Sequence, residues 1–287
     1  RPRRAYHSGM PITRSAQPPV DVPAPIRRRH PALTWEPVPI TGSGAGVWRA
    51  RGPAELYLKA APATGPRAEL AAGLAAEAAR ASWLRGLGVP AAEVVELDSD
   101  GVVSWLISRE LPGRSVAEPW PEHRAAAVVD AFADAALLLH ALPVRECPFD
   151  HRLPIAVALT ERSAGGLADL SVGAVPGWSP SRLLDELDRV RTSSGPVEPD
   201  LVVCHGDLCC PNVLLDPETL DLVGIVDVGA LGVDDRHQDL ALATRSLADP
   251  RNRHLGPGAP DRFLRRYGIP EPDPHRLSFF RLLDEPV

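Results

Sequence analysis

Residues 202–227 have the sequence VVCHGDLCCPNVLLDPETLDLVGIVD and contain the features that decide the fold. The stretch begins with a short apolar run that predicts a buried strand, and a polar turn containing Asp207 follows it. Asn212 comes five residues after Asp207. Two more apolar runs flank the turn-forming sequence Asp-Pro-Glu-Thr, and the second run ends on Asp227. The turn predicts a hairpin that brings Asn212 and Asp227 to one end, beside the carboxylate of Asp207.

These three side chains suit a magnesium-dependent transfer of a phosphoryl group. Mg²⁺ prefers hard oxygen ligands, takes few of them from the protein and keeps the rest from water and phosphate. In kinases a loop Asp accepts the proton of the substrate hydroxyl, while an Asn and another Asp hold the metal ions. The spacing of Asp207, Asn212 and Asp227 matches that division of roles. Each residue alone would suit an ordinary turn, but the set favours chemistry.

The segments HGDLCCPNVLLD (205–216) and GIVDVGALGVDDRHQDLALA (224–243) resemble motifs of the aminoglycoside phosphotransferase family, and most closely its 3'-phosphotransferase branch. The segment RLSFFRLLDE (276–285) resembles the C-terminus of the same branch. The resemblance extends over residues 31–285. It implies a two-lobed, protein-kinase-like α+β fold, in which an N-lobe antiparallel sheet with one helix precedes a mainly helical C-lobe. The implied activity is the ATP- and Mg²⁺-dependent phosphorylation of an aminoglycoside hydroxyl, at the 3' position, which confers resistance.

The pattern along the chain predicts a tail and two lobes. Residues 1–30 are rich in Pro and Arg without apolar periodicity, so we expect a disordered tail or a surface strap. Residues 31–111 are predicted to form the nucleotide-binding lobe, and residues 112–287 the catalytic and substrate-binding lobe. The Pro-Gly break at 112–113 predicts the hinge between them.

The composition excludes several classes of function. The content of 44% hydrophobic and 24% charged residues is typical of a soluble globular protein. A net charge of −6 argues against nucleic-acid binding and is compatible with a cationic substrate. No apolar run reaches the ~18 residues of a membrane helix, and the N-terminus lacks a signal-peptide pattern. The four cysteines lack metal-ligand spacing, and the adjacent Cys209 and Cys210 do not suit a disulfide. We therefore expect a cytoplasmic protein without a membrane partner.

The first lobe contains a candidate phosphate-binding turn. Residues 46–51 and 55–60 predict a hairpin joined by a Gly-Pro turn. The sequence TGSGAGV (41–47) precedes the first strand, and its three glycines let backbone N–H groups approach a phosphate closely. Ser43 and Gly44 are the candidate contacts.

Lys59 is the only lysine in the chain and lies at the end of a predicted strand. A lysine offers a compact charge on a thin stem, which suits phosphate oxygens in a narrow site. In kinases such a lysine pairs with a helix Glu. The helix predicted over residues 66–87 contains two acids, Glu69 and Glu77. The resemblance favours Glu77, because Trp83-Leu84 follows it as in the family, and Glu69 is the alternative.

The resemblance also implies an adenine site near the hinge. Strands are predicted at residues 93–97 and 102–108. Backbone groups of Arg109 and Leu111, just after the second strand, would hold the base. Tyr57 would stack on its ring, although a core role in the strand is an equal alternative.

The second lobe is predicted to be mostly helical, with helices at 122–142, within 150–190, from about 235 to 247, at 261–267 and at 273–284. Asp235 with Gln238 has the form of a capping box. Asp239 is expected to face back to the loop around Asp207 and to hold its backbone, with a solvated helix Asp as the alternative.

The substrate contacts rest on the resemblance. In the family, the helical segment that corresponds to residues 150–190 forms an acidic wall over the antibiotic. Asp169 is the one carboxylate proposed from this segment, since residues 170–180 contain no acid. Asp284, Glu285 and the terminal carboxylate of Val287 would bind ammonium groups, although a frayed acidic C-terminus is the alternative. Ala230 departs from the family, since many relatives have an Arg there.

The predicted mechanism has Asp207 orient the substrate hydroxyl and accept its proton. His205 is expected to shape the loop, with a role as base as a second interpretation. Two other functions stay open at this point. One is a kinase of the same fold for another small hydroxylated molecule, and the other is a non-catalytic pseudokinase that binds nucleotide.

Overall fold

The computed structural model describes residues 21–38, 45–65, 67–151 and 200–283. The chain divides into two compact units. The N-terminal unit comprises Arg1–Ala78 and Val94–Glu110, and the C-terminal unit comprises Ala79–Glu93 and Leu111–Val287. One boundary between the units lies between Glu110 and Leu111, just before the Pro-Gly sequence at 112–113. The hinge there stays a prediction.

A five-stranded antiparallel sheet forms the body of the N-terminal unit, in the order β1-β2-β3-β5-β4. Its strands are β1 Thr34–Pro37, β2 Gly46–Arg51, β3 Leu56–Pro62, β4 Val94–Ser99 and β5 Val103–Arg109. The alternation of buried and partly exposed residues along β3 places Leu58 and Ala60 in the core, while Lys59 points to the other face. The predicted hairpin and the two later strands are confirmed.

The first residues of the unit correct the predicted tail. Helix α1, Ala24–Arg29, lies within the segment that was expected to be disordered. Ile26 is fully buried and packs in a cluster with Trp48, Leu58 and Trp105. One apolar side chain per turn is too weak a pattern to predict from sequence, but burial of Ile26 stabilises the short helix.

The C-terminal unit is mainly helical in the described residues, which confirms the predicted α+β class. Its helices are α3 Glu122–His140, α4 His237–Ala248, α5 Ala259–Tyr267 and α6 Pro274–Leu283. Helix α2, Glu69–Gly86, belongs to the N-terminal unit through Ala78 and to the C-terminal unit beyond it. The predicted helices within 150–190 lie outside the described residues.

Two small antiparallel sheets frame the loop that contains Asp207. Strand β7, Leu201–Cys204, pairs with β10, Gly232–Asp235. Strands β6 Arg114–Ser115, β8 Val213–Leu215 and β9 Leu222–Ile225 form the other sheet, in that order. The loop of residues 205–212, called the catalytic loop below, therefore leaves one sheet and enters the other.

Helices α3 and α5 cross in a fixed register. Arg262 donates to Asp130 at 2.7 Å, and one turn later Arg266 donates to Asp134 at 2.7 Å. Phe132 and Phe263 lie in the core beneath these pairs, with ring centroids 5.2 Å apart.

Among the described residues, every helix is too short or too polar to span a membrane.

The predicted capping box at the start of α4 is wrong. Arg236 precedes the helix and makes no side-chain cap hydrogen bond. Asp235 ends β10 and accepts hydrogen bonds from the backbone and the ring of His237, at 2.9 and 2.8 Å. Gln238 donates to the carbonyl of Gly206 at 3.2 Å, because the helix packs against the catalytic loop.

A buried carboxyl in β10 predicts an unusual pH dependence of stability. Asp234 is 1% exposed, and only one of its oxygens has a hydrogen-bond partner among the described residues. Burial raises the pKa of Asp234 from 3.8 to about 7. The folded state therefore binds an extra proton between these values, and stability that is present below pH 3.8 is lost as the pH rises to about 7.

Asp234→Asn should raise the melting temperature above pH 7 by several degrees, because the amide stays neutral. The advantage over the wild type should grow between pH 4 and about pH 7 and then level off. Thermal unfolding followed from pH 4 to pH 8 measures it, with Asp98→Asn in exposed β4 as the control. An advantage that does not change with pH would contradict burial of an ionisable group at this position.

Candidate active site

The start of the catalytic loop requires glycine at residue 206. Gly206 has a φ of +84°, in the left-handed region. A Cβ added there would lie 2.3 Å from the carbonyl oxygen of Ala230. The loop can therefore pack directly against the turn that follows Asp227.

The backbone of the loop is held by a buried carboxylate. Asp239 of α4 is fully buried and accepts hydrogen bonds from the N–H of His205 at 2.7 Å and of Gly206 at 2.9 Å. Burial opposes its ionisation, but the hydrogen bonds from His140 and the loop outweigh burial and lower the pKa of Asp239. The prediction that Asp239 holds this backbone is confirmed.

Asp207 is partly buried, and its carboxylate has two neighbours in the loop. The Nδ2 of Asn212 donates to Oδ2 of Asp207 at 3.2 Å and to its backbone carbonyl at 2.9 Å. The thiol of Cys209 donates to Oδ1 at 3.4 Å. These contacts orient the carboxylate, and they commit the amide N–H₂ of Asn212 so that its Oδ1 is left to act as an acceptor.

The hairpin brings Asn212 and Asp227 together as predicted. Val213 pairs with Ile225 in the β8–β9 ladder, and the N–H of Val226 donates to the carbonyl of Asn212 at 3.0 Å. Asp227 follows β9 and has φ 59° and ψ 45°, a left-handed conformation that Asp tolerates better than most residues. Its side chain is exposed at the end of the hairpin.

The groups at this end of the hairpin fit a magnesium ion. The amide oxygen of Asn212 and the carboxylate of Asp227 are hard oxygen donors. The nearby sulfur does not compete, because burial raises the pKa of Cys209 far above its usual value and keeps it a neutral thiol. The chemistry of the donor set therefore matches Mg²⁺ rather than a soft metal.

His205 is buried and connects the loop with the hairpin. Its Nδ1 accepts a hydrogen bond from the N–H of Asp207 at 3.2 Å, so the proton lies on Nε2, which donates to the carbonyl of Val226 at 3.1 Å. Both ring nitrogens are engaged. This arrangement supports the expected role in shaping the loop and leaves neither nitrogen for the role of a base.

The N-terminal unit contains the predicted ion pair. The Nζ of Lys59 lies 2.8 Å from both carboxylate oxygens of Glu77, and both side chains are partly buried. Glu69 lies in the first turn of α2 and is exposed. The structure therefore selects Glu77 over the alternative.

The candidate adenine contacts lie at strand ends in their respective units. Tyr57 is partly buried on β3, opposite Ser108. Arg109 is the last residue of β5. Leu111, in the C-terminal unit, packs so closely on Gly224 that a Cβ at residue 224 would lie 2.3 Å from its Cδ1. The role of all three in nucleotide binding stays a prediction.

Six further site predictions lie outside the described residues: Ser43, Gly44, Asp169, Asp284, Glu285 and Val287. They stay predictions.

Two contacts near the loop were not predicted. Gln238 binds the Gly206 carbonyl, as above, and Arg80 of α2 donates to the carbonyl of Leu231 at 2.6 Å. The guanidinium of Arg80 lies 4.8 Å from the ring centroid of Phe149. Arg80 and Leu231 are 151 residues apart, so no local pattern could reveal this contact.

Comparisons with known proteins agree over nearly the whole chain. The profile of a family described as "Phosphotransferase enzyme family" matches residues 14–280. An aminoglycoside 3'-phosphotransferase of Streptomyces fradiae is 46% identical over 267 residues, which cover 91% of this chain and 97% of that protein.

Two solved structures share the fold at appreciable identity. The crystal structure of aminoglycoside-3'-phosphotransferase of type VIII has a TM-score of 0.80 and 42% identity, over 91% of this chain and 96% of that one. Aminoglycoside phosphotransferase APH(3'')-Id from Streptomyces rimosus, in complex with ADP and streptomycin, has a TM-score of 0.73 and 30% identity, over 90% and 94% of the two chains. These likenesses support the protein-kinase-like architecture.

The contacts of Cys209 predict that its thiol helps to orient the loop. It donates to Asp207 and accepts from the Nδ2 of Asn212 at 3.2 Å. Cys209→Ala should lower kcat by about threefold to tenfold, because both hydrogen bonds are lost. Cys209→Ser keeps a donor and an acceptor and should stay closer to the wild type. Steady-state kinetics measure both, with Cys147→Ala as a control outside the loop. Equal activity of the Ala and Ser variants would show that the hydrogen bonds are unimportant.

Proposed function

Since this chain belongs to the phosphotransferase enzyme family, we propose that it is an ATP-dependent aminoglycoside 3'-phosphotransferase that confers resistance. The observation that carries the proposal is the arrangement of the catalytic loop and hairpin, in which the side chain of Asn212 donates to Asp207 and its carbonyl accepts from Val226, the residue before Asp227. The identity of 46% with an aminoglycoside 3'-phosphotransferase supports the choice of substrate class and of hydroxyl. Phosphorylation of that hydroxyl would disrupt binding of the antibiotic to the ribosome.

Asp207 is the residue that meets the acceptor. Its carboxylate receives the proton of the 3'-hydroxyl while the oxygen of that hydroxyl bonds to the γ-phosphorus and the bond to ADP breaks. The transition state of such transfers is loose, so correct placement contributes more than strong basicity. Hydrogen bonds from Asn212 and Cys209 give the carboxylate that placement.

Asn212 and Asp227 would hold magnesium through the amide oxygen and the carboxylate. When bound, the metal neutralises negative charge on the phosphates. Asn212 donates hydrogen bonds through its amide N–H₂, which fixes the side chain and leaves its oxygen available as a ligand. The left-handed backbone of Asp227 turns the chain back at the end of β9. In this proposal the two residues provide oxygen ligands for the metal.

Lys59 contacts the phosphates of ATP in this proposal. Its ammonium is oriented by both oxygens of Glu77, which limits the freedom of a flexible side chain. Tyr57, Arg109 and Leu111 form the proposed adenine contacts, and the glycine-rich turn with Ser43 and Gly44 approaches the phosphates. The solved relative from S. rimosus, 30% identical, is in complex with ADP, which supports a nucleotide as the donor.

The acceptor is a polycation, and acidic groups are its natural ligands. Asp169, Asp284, Glu285 and the carboxylate of Val287 are the proposed contacts for its ammonium groups, in keeping with the net charge of −6. We place the enzyme in the cytoplasm, where ATP is available and where its four free thiols stay reduced.

The test of the function is direct product analysis. Incubation with Mg·ATP should add one phosphate to a kanamycin- or neomycin-type antibiotic, detected by mass spectrometry and assigned to the 3'-oxygen by NMR. Asp207→Ala should bind ATP nearly as the wild type does but lose several orders of magnitude in turnover. Phosphate on a macrolide or a small amine alone would support the rival kinase function, and no acceptor at all would support a pseudokinase.

The lone lysine gives a separate prediction. Lys59→Arg should lower kcat/KM for ATP by about tenfold or more, although the charge is kept, because a guanidinium is broader than an ammonium and cannot make the same contact with Glu77. ATP kinetics at saturating aminoglycoside measure the effect, with Arg51→Lys at the exposed last residue of β2 as the control. Wild-type ATP kinetics in Lys59→Arg would refute the argument that the site needs a compact charge.

A further inference from the structure

A chain of buried hydrogen bonds extends behind the catalytic loop, away from Asp207. His140, the last residue of α3, places its Nε2 3.0 Å from Oδ2 of Asp239, the same oxygen that accepts from the N–H of His205. The side chain of His140 is 4% exposed and that of Asp239 is fully buried. The contact that fixes the loop is therefore itself supported by a second buried side chain.

The chain continues to the end of α5. The hydroxyl of Tyr267 lies 2.6 Å from Nδ1 of His140, and Nη1 of Arg236 donates to that hydroxyl at 3.3 Å. Nη2 of Arg236 donates to Asp200 at 2.8 Å. The series links an ion pair near the surface to the backbone beside Asp207 through three helices.

The donors and acceptors allow one consistent assignment of the protons along this series of hydrogen bonds. Ionised Asp239 can only accept, so Nε2 of His140 donates to it. Nδ1 of neutral His140 then accepts from the hydroxyl of Tyr267, and the oxygen of that hydroxyl accepts from Arg236. Burial raises the pKa of Tyr267 to about 12, so the phenol keeps its proton. His140 is then the tautomer with hydrogen on Nε2, and this N–H donates to Asp239. No other tautomer of neutral His140 satisfies all these contacts.

The same region includes a group of potential metal ligands, since atoms of His140, Cys204 and Asp239 lie within 4.8 Å of one another. Both ring nitrogens of His140 and both oxygens of Asp239 are already in hydrogen bonds. The thiol of Cys204 is neutral, because burial raises its pKa well above the usual value. His140 and Asp239 therefore serve the hydrogen-bond network, and the thiol of Cys204 donates to the carbonyl of Asp235.

We propose that Tyr267 and Arg236 are positioning residues of the phosphoryl transfer, which act by holding His140 in the tautomer that donates to Asp239. Asp239 then fixes the N–H groups of His205 and Gly206 and so aims Asp207. The proposal rests on the proposed role of Asp207. Small displacements of a catalytic group are costly to the rate, because the reacting atoms must be held near van der Waals contact.

Tyr267→Phe is the first test, because it removes the hydroxyl and keeps the ring, which stacks on Phe263 with a centroid distance of 6.3 Å. We expect faster exchange of the amides of His205 and Gly206, measured by hydrogen–deuterium exchange on peptides spanning residues 203–208. We also expect kcat to fall about tenfold with an unchanged KM for ATP. Arg266→Gln is the matched control, since it breaks an exposed α3–α5 ion pair next to Tyr267 and should change neither quantity.

Two substitutions of His140 separate its two contacts. Gln places an amide N–H₂ near the position of Nε2 and can still donate to Asp239, whereas Asn reaches only the position of Nδ1. We expect His140→Gln to keep most of the amide protection and of kcat, and His140→Asn to lose both. Both variants lose the imidazole, so a difference in exchange or kcat between them reports the contact with Asp239.

Each outcome decides the proposal. Wild-type exchange at residues 205 and 206 in Tyr267→Phe, or equal exchange in the Gln and Asn variants of His140, overturns it. Faster exchange with an unchanged kcat also overturns it, because the loop would then move without consequence for the transfer. The exchange measurement needs no antibiotic, so failure to find a phosphorylated product would count against the proposed function and not against the network.

Discussion

The carboxylate of Asp239 makes the contact on which the rest of the candidate site depends. It is fully buried and accepts hydrogen bonds from the N–H groups of His205 and Gly206, which have no backbone partner in a strand or helix. Hydrogen bonds to a charged acceptor contribute about 1.5–3 kcal/mol each, and a buried N–H without a partner would cost a comparable amount. The backbone direction at the start of the catalytic loop depends on this side chain and on His140 behind it.

The other side of the loop is fixed by the hairpin. Gly206 lies against the carbonyl of Ala230, and His205 donates to the carbonyl of Val226, one residue before Asp227. Helix α4 and the hairpin thus hold the loop from two sides, and both belong to the C-terminal unit. A loop held in this way needs little rearrangement at the moment of transfer, which is the condition under which placement and electrostatics contribute most to catalysis.

The N-terminal unit holds the flexible cation of Lys59 in one position. Lys59 projects from β3 between two core residues, Leu58 and Ala60, and Glu77 of helix α2 forms an ion pair with it. Sequence spacing and resemblance identified this pair. The same local reasoning was wrong for Gln238, which binds the loop instead of capping its helix, and for Ile26, which is buried in a helix where a disordered tail was expected. Both errors have one cause, since tertiary contacts outweighed weak local preferences.

The sequence by itself determined most of the strands and helices in their order, and the spacing of Asp207, Asn212 and Asp227, because apolar periodicity and turn composition act over a few residues. Only the tertiary structure decided which groups hold these side chains in place. His140 lies 99 residues from Asp239 and 127 residues from Tyr267 along the chain. A hydrogen bond depends on the distance and direction between two atoms, and for residues so far apart these are set by how the helices pack, which no local pattern in the chain records.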